Sequence, residues 1–265
     1  MALQAKGWYY KALIFVHRMT NFAHDAVVPD AGSDLSKKQQ VAIMFNDIAG
    51  RYDLLNGLLS AGIDKGWRKK ALKELNEINP KTLLDVATGT GDVAIMALTL
   101  LNPDKITGID ISDGMLEAGR AKLRMKNLDG KIELLQGDSE AINFKDDSFD
   151  AVTVAFGVRN FQQLEQGLRE IRRVLKPGGK LVVLEFSKPL NPVVKSAYNV
   201  YMKLICSNVG RLISKNKTAY SYLDESINKF PEGKNFTSVL DKLGFQNTYF
   251  KPLTLGICTI YCGRK

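Results

Sequence analysis

Histidine is almost missing from this chain, and its scarcity excludes a good deal of chemistry. The two present, His17 and His24, both stand ahead of the first recognisable core segment. An imidazole-based zinc site would lack its ligands in the folded part, and no metal site is expected. A Ser-His or Cys-His nucleophile pair would lack its base. Cysteine is also sparse: Cys206, Cys258 and Cys262 include no C-x-x-C pair. An odd number of thiols argues against a disulfide framework and for a reducing, cytoplasmic setting. No apolar run reaches the ~18 residues of a membrane span.

What remains is an ordinary globular composition, 265 residues with 45% hydrophobic and 25% charged side chains, enough for one large domain. The formal charge of +9 is less ordinary. It suits an anionic partner, whether nucleic acid, membrane surface or acidic substrate, and it equally suits a plain lysine-rich surface. Residues 1–24 carry Lys6, Lys11 and Arg18 but no acid. That pattern fits a membrane-surface segment, or a native start at Met19, so residues 1–36 are set apart as an N-terminal extension outside the domain at 37–265.

Val27 to Lys37 reads as a linker, after which Ser36 caps a helix with Val41, Met44, Phe45 and Ile48 at helical spacing. A second helix is expected around Asp64 to Leu75. From Thr82 onward, strands and helices alternate as in a parallel sheet. The predicted strands are Thr82–Val86, Lys105–Asp110, Ile132–Gln136, Phe149–Ala155 and Lys180–Glu185. Helices fall between them at Asp92–Leu101, Met115–Lys126 and Phe161–Leu175. Residues 191–232 are helical in pattern, basic and tyrosine-rich. A helix near Phe236–Leu243 then leads to strands at Phe245–Phe250 and Leu255–Tyr261.

The stretch Leu83-Leu84-Asp85-Val86-Ala87-Thr88-Gly89-Thr90-Gly91-Asp92-Val93 organises the rest. It passes from strand through a small-residue turn into a helix, the place where open α/β sheets bind ligands. Gly89 and Gly91 let the chain turn sharply and let a ligand approach the backbone. Gly89-Thr90-Gly91-Asp92-Val93-Ala94 fits G-x-G-x-x-A, and Asp110 follows Gly91 by 19 residues (91 to 110), which would serve NAD as well as another adenosine cofactor. Asp85 and Asp92 flank the turn, where a pyrophosphate would want positive potential and a cation would not. S-adenosyl-L-methionine is such a cation. Asp110 can accept from the ribose hydroxyls, and Asp138, in Gly137-Asp138-Ser139, from the adenine amino group.

Leu83–Asp92, Gly108-Ile109-Asp110-Ile111-Ser112, Gln136–Glu140 and Lys176–Gly179 resemble the motifs of class I S-adenosylmethionine-dependent methyltransferases. Phe156-Gly157-Val158-Arg159-Asn160, Leu184–Pro189, Tyr220–Ile227, Phe45–Asp53 and Leu253–Cys258 resemble, more narrowly, the quinone-biosynthesis C-methyltransferases. The resemblance covers roughly residues 37–265. It implies an α/β, Rossmann-like fold with a mostly parallel seven-stranded sheet, helices on both faces, and a helical insertion at 191–232. It carries cofactor contacts onto Thr90, Asp110, Asp138 and Ser139, and a backbone contact onto Ala155; Asp85, Gly89 and Gly91 join them from the loop reading. Ala87 stands where the family usually has glycine, a tolerable change if its dihedrals are ordinary.

The implied reaction is transfer of a methyl group to a ring carbon of demethylmenaquinol, the last step of menaquinone biosynthesis, leaving S-adenosyl-L-homocysteine. The equivalent ubiquinone-pathway methylation is the alternative, with a nucleic-acid methyltransferase or an NAD-dependent oxidoreductase further off. Acceptor-side candidates are Arg159, Asn160 and Tyr52. A helix acid such as Glu165 or Glu170 competes for Arg159 as a salt-bridge partner, and Tyr52 has packing as its plain alternative. The implied partner is an isoprenoid quinol, its tail lying along Tyr201, Leu204, Ile205, Val209 and Leu212. Lys203, Arg211, Lys215 and Lys217 would face anionic lipid at the inner face of the cytoplasmic membrane. A homodimer is compatible with this reading, and no nucleic-acid partner is expected.

Overall fold

The strands form where short β-branched and leucine-rich runs are closed off by turn residues, and their side chains alternate between two cores. The computed structural model describes residues 22–60, 62–189, 191–196, 198, 200 and 218–265. Numbered in chain order, the strands are β1 (Thr82–Val86), β2 (Lys105–Asp110), β3 (Ile132–Gln136), β4 (Phe149–Ala155), β5 (Leu175–Phe186), β6 (Gln246–Leu253) and β7 (Cys258–Arg264). They make one seven-stranded sheet in the order β3-β2-β1-β4-β5-β7-β6. β1 to β5 pair in parallel, and β7 runs antiparallel between β5 and β6. The expected fold class is therefore the observed one.

Alternation along each strand sorts the core. Leu84, Val86, Leu181, Val183 and Tyr261 face one layer, with Leu168, Phe236 and Leu240. Leu83, Val182, Leu184, Ile260 and Cys262 face the other, with Leu72, Ala94 and Leu116. Cys258 and Cys262 are free, buried thiols, and burial pushes the Cys262 thiol up to about 11.

Helices α1 (Lys37–Ile48), α2 (Tyr52–Ser60), α3 (Ile63–Lys73), α4 (Asp92–Leu101), α5 (Asp113–Met125), α6 (Leu164–Val174), α7 (Thr218–Lys229) and α8 (Lys234–Lys242) complete the described frame. Ser36 caps α1 as expected, its hydroxyl accepting from the Gln39 N–H while the Gln39 side chain accepts from the Ser36 N–H. Such a cap stabilises a helix by about 1 kcal/mol. α1 then lies over the start of α5: Asn46 Oδ1 accepts from the Ser112 hydroxyl at 2.7 Å and the Gly114 N–H at 2.9 Å.

The structure adds to or differs from these expectations at three places. Residues 22–27, set apart in the expected N-terminal extension, pack against the domain. His24 and Val27 are buried, Phe22 packs against the core, and the Lys37 ammonium donates to the carbonyls of His24 (2.8 Å) and Arg159 (3.4 Å). The Pro-Gly-Ser composition of 27–37 masked the apolar anchors on its near side. Tyr52–Ser60, given no assignment from sequence, is helical. The helix after β4 ends at Val174, and Leu175 already pairs with Phe149 before Pro177-Gly178-Gly179 bulges the strand. The proposed tail groove, Tyr201 to Leu212, and its basic companions lie outside the described residues.

Candidate active site

Parallel strands deliver their carboxyl ends to one edge of the sheet, and the turns after β1, β2, β3 and β4 meet there beneath α1 and the start of α2. Between them is a cleft of about 680 Å³, a volume that includes the open solvent at its mouth. Its floor is Val86, Ala87 and Gly89. One end holds Ile109, Asp110, Met115, Asp138 and Ser139. The other reaches Ala155, Phe156, Gly157, Asn160 and Tyr52, while Lys38, Val41 and Phe45 of α1 form the roof.

Asp110 is the best-prepared group in it. Its carboxylate accepts from the Gly89 N–H at 2.8 Å and the Ser112 N–H at 2.9 Å, which pin it at the strand end against the loop. Burial raises its pKa even against those hydrogen bonds. Asp138 faces the same end, paired with the Lys38 ammonium, which also lies 3.1 Å from Glu140 Oε2. Burial would lower the Lys38 pKa, but the two carboxylates hold it above the usual value. Five of the residues expected to contact the cofactor, Gly89, Asp110, Asp138, Ser139 and Ala155, thus line one cleft.

Three others are not on the cleft lining. Asp85 lies beneath the loop, accepting from the hydroxyls of Thr88 and Thr153 at 2.6 Å each, and burial pushes its carboxyl up to about 6. It buttresses the turn and does not line the cleft. The Thr90 hydroxyl donates to Asp53 Oδ1 at 2.6 Å. Gly91, with φ +79°, caps α4 and backs onto Leu134. Asp92, whose position suggested a cation, is held by Arg68 (2.9 Å) and Lys122 (2.7 Å). Burial alone would raise its pKa, and those two cations take it below the usual value.

Ala87 does not have ordinary dihedrals. Its φ of +55° is left-handed, the conformation a glycine adopts without strain, and it costs an alanine ~1–2 kcal/mol. A Cβ on Gly157 would lie 2.5 Å from the Ala87 Cβ, so these two residues form a floor with no room for another methyl. Phe156, between β4 and Gly157, is left-handed as well, at φ +59°. Strain of this kind concentrates at ligand sites.

At the acceptor end, Tyr52 and Asn160 line the cleft but Arg159 does not. Arg159 is buried behind it. Its Nη1 donates to Glu185 Oε1 at 2.7 Å and to the Phe156 carbonyl at 2.6 Å, and its guanidinium sits 5.5 Å from the Phe186 ring centre. The partner is Glu185 at the end of β5, not a helix acid. Asn160 Oδ1 accepts from the Tyr222 hydroxyl of α7 at 3.1 Å. Burial raises the pKa of both Tyr52 and Tyr222 and keeps them protonated donors. His24 is buried near Arg159 and Lys37 but does not line the cleft.

Lys38, Phe45, Met115, Glu140 and Phe156 also line the cleft and were not predicted. A lysine or phenylalanine on an amphipathic helix carries no sign that it will face a ligand. Only Glu140, two residues past Asp138, had a positional signal.

A fold and a cleft do not name a reaction, since one frame serves many chemistries. The family described as the ubiE/COQ5 methyltransferase family matches residues 33–265. The chain belongs to this family. Demethylmenaquinone methyltransferase of Bacteroides fragilis is 44% identical over 245 residues, 92% of this chain and all of that one. The enzyme of the same name in Porphyromonas gingivalis is 43% identical, covering 88% of this chain and 96% of that one. The ubiquinone/menaquinone biosynthesis C-methyltransferase UbiE of Geobacter sulfurreducens is 44% identical, covering 86% and 90%. Among solved structures, a SAM-dependent methyltransferase from Aquifex aeolicus superposes with a TM-score of 0.54 at 18% identity, covering 74% of this chain and 88% of that one. The [4+2]-cyclase SpnF does so at 0.57 and 17%, covering 86% and 96%. The structural likenesses give the fold of this family member; its sequence gives the family.

Proposed function

We propose that this chain methylates a ring carbon of demethylmenaquinol with S-adenosyl-L-methionine, in the last step of menaquinone biosynthesis. The observation that carries the reading is the cleft's two-ended chemistry, carboxylates at one end and neutral donors at the other, in a chain of this family. The relatives' names favour the menaquinone precursor over the ubiquinone one, because the first three at 43–44% identity are demethylmenaquinone methyltransferases.

The residues present fit the cofactor. Asp110, already oriented by two backbone N–H groups, has lone pairs left for ribose hydroxyls. Asp138 can accept from the adenine amino group, with Lys38 then retained by Glu140. Gly89 and Ala155 offer close backbone, and the Thr90 hydroxyl is committed to Asp53, so Thr90 would contribute through its main chain. When bound, the cofactor supplies a methyl group on a sulfonium, open to in-line attack by an electron-rich ring carbon.

The protein's own part is placement. Asn160, fixed by Tyr222, and Tyr52 orient a quinol hydroxyl by hydrogen bonds, and Phe156 offers its ring as a wall. Alignment of two reactants in such a cleft supplies up to ~7–11 kcal/mol. Arg159 acts from behind, its charge balanced by Glu185, by holding the turn Val158–Asn160 that carries Asn160. The insertion at 191–232 is proposed as a cover for the isoprenoid tail. The net charge of +9 supports contact with an anionic membrane surface, and no described helix is long and apolar enough to cross one. Nothing in the described residues argues for a homodimer.

The test is incubation with methyl-labelled S-adenosylmethionine and each reduced demethylated acceptor in turn. Label in menaquinol is the expected outcome. Label in the ubiquinol product alone would move the assignment to the other pathway, and label in neither would remove it.

A further inference from the structure

Beside the cleft, a chain of ion pairs runs through residues that the proposed reaction leaves unused. Lys122 on α5 places its ammonium 2.6 Å from Asp53 Oδ2, 2.7 Å from Asp92 Oδ1 and 3.0 Å from the Thr90 hydroxyl. Thr90 in turn donates to Asp53 at 2.6 Å. On the other side of Asp92, Arg68 donates to it at 2.9 Å and lies 3.3 Å from Asp64, which accepts from the Ser60 hydroxyl at 2.6 Å.

The two ends of this chain are the two ends of α2. Asp53 stands in the helix's first turn and Ser60 is its last residue. Between the ends, the network passes through Thr90 and Asp92, the cofactor turn and the first residue of α4. Local sequence gives α2 little helical strength of its own. It is 9 residues long, holds Asn56 and Gly57 in its middle, and leaves Leu54 64% exposed. A helix so short and so composed is marginal alone. Yet it carries Tyr52, which lines the cleft and packs edge-on to Phe45 at 6.0 Å.

We infer that Lys122 and Asp53 are positioning residues that fasten α2 to the cofactor turn, fixing the shape of that turn and so the affinity for the methyl donor, and holding Tyr52 over Gly89, where an added Cβ would lie 3.9 Å from its ring. The inference rests on the reading of the cleft as an S-adenosylmethionine site. Ordinary surface ion pairs contribute little. This one differs in that a single ammonium joins three elements, α2, the Gly89–Gly91 turn and α4, with its own side chain 17% exposed. It also explains the carboxylates flanking the turn: Asp92 serves as a hub for fastening, and its charge is spent on Arg68 and Lys122.

The experiment is S-adenosylhomocysteine binding by calorimetry, with methyl-transfer kinetics, on Lys122→Met, Asp53→Asn, their double variant and Lys122→Arg. Lys122→Met should raise the Kd for S-adenosylhomocysteine and the KM for S-adenosylmethionine five- to twentyfold, with a smaller loss in kcat. Asp53→Asn should match it, the double should be no worse than either single, and Lys122→Arg should return Kd to within threefold of the parent. A purely structural role would lower Tm and leave Kd alone, and that result overturns the inference, as do additive losses in the double. Should Lys122→Met fail to fold, Asp53→Asn, whose side chain is 44% exposed, carries the same test. A parent chain that binds no S-adenosylhomocysteine overturns the cofactor reading and this inference together. A parent that binds it and variants that bind it equally overturn this inference alone.

Discussion

Replacing Arg159 by methionine should unmask the most heavily buried charge near the cleft. Glu185 is fully buried and accepts three hydrogen bonds: Arg159 Nη1 at 2.7 Å, the Phe186 N–H at 2.9 Å and the Arg159 N–H at 3.3 Å. The substitution keeps both backbone donors and removes the only charged one. Breaking a buried pair by deleting one partner costs about 3–5 kcal/mol, because the survivor keeps its desolvation penalty. With two donors left, the lower end applies, and loss of the contact with Phe186 adds ~1 kcal/mol. A total near ~4 kcal/mol is a large part of the ~5–15 kcal/mol that holds a domain together. It corresponds to a fall in Tm of roughly 8–16 °C for a chain of this size. Urea unfolding followed by circular dichroism measures the first quantity and a thermal scan the second. A second variant, Arg159→Met with Glu185→Gln, should regain at least half of the loss, because no uncompensated charge remains. Arg159→Met within ~1 kcal/mol of the parent would refute the buried-pair reasoning. Activity separates two roles: transfer that stays lost in the restabilised double puts Arg159 at the reacting ring, and transfer that returns puts its work in holding Asn160.

Two further outcomes concern single carboxylates. Asp85, raised to about 6 from 3.8, keeps its proton in the folded state to a higher pH than in the unfolded state. Its contribution is therefore fully present near pH 3–4 and is lost as pH rises through 6, by about 3 kcal/mol. The stability difference between the parent and Asp85→Asn should shift against the parent by that amount from pH 4 to pH 7, and a pH-independent difference would contradict it. Asp138→Ala should raise the Kd for S-adenosylhomocysteine about 10- to 100-fold, the ~1.5–3 kcal/mol of a charged hydrogen bond. A change under threefold in calorimetry would take Asp138 out of the adenine site.

β1 to β4 were legible to the residue because each is a short apolar run with a turn residue at either end. α2 was not, since Asn56 and Gly57 in its middle are weak helix formers. Asp110 and Asp138 line the cleft because a residue at or just past a strand's carboxyl end sits at that edge of the sheet. Asp85, near the end of β1, and Asp92, at the start of α4, flank the same turn yet do not line the cleft. Which way a carboxylate turns depends on hydroxyls and cations far off in sequence, Thr153 for Asp85 and Lys122 for Asp92, and no local pattern encodes those. Nor does the roof: Lys38 and Phe45 face the cleft only because Asn46 docks α1 on the start of α5. The segment around His24 was discounted for its composition, although Lys37 binds its carbonyl from inside the domain.

The place of β7 between β5 and β6 bears on how the molecule is made. β6 precedes β7 in the chain, yet among the described residues its only strand neighbour is β7. While the polypeptide emerges, β6 has nothing to pair with, and the far edge of β5 lies open until β7 is delivered. An open edge of this kind is a template for pairing with other chains. Pairing of β7 therefore closes two gaps at once, and it does so next to Glu185 and Phe186, where β5 pairs with Thr259 and Cys258. Loss of β7 would leave the Arg159 anchor beside an unpaired edge, so shortened products of this chain should aggregate before they ever reach the question of catalysis.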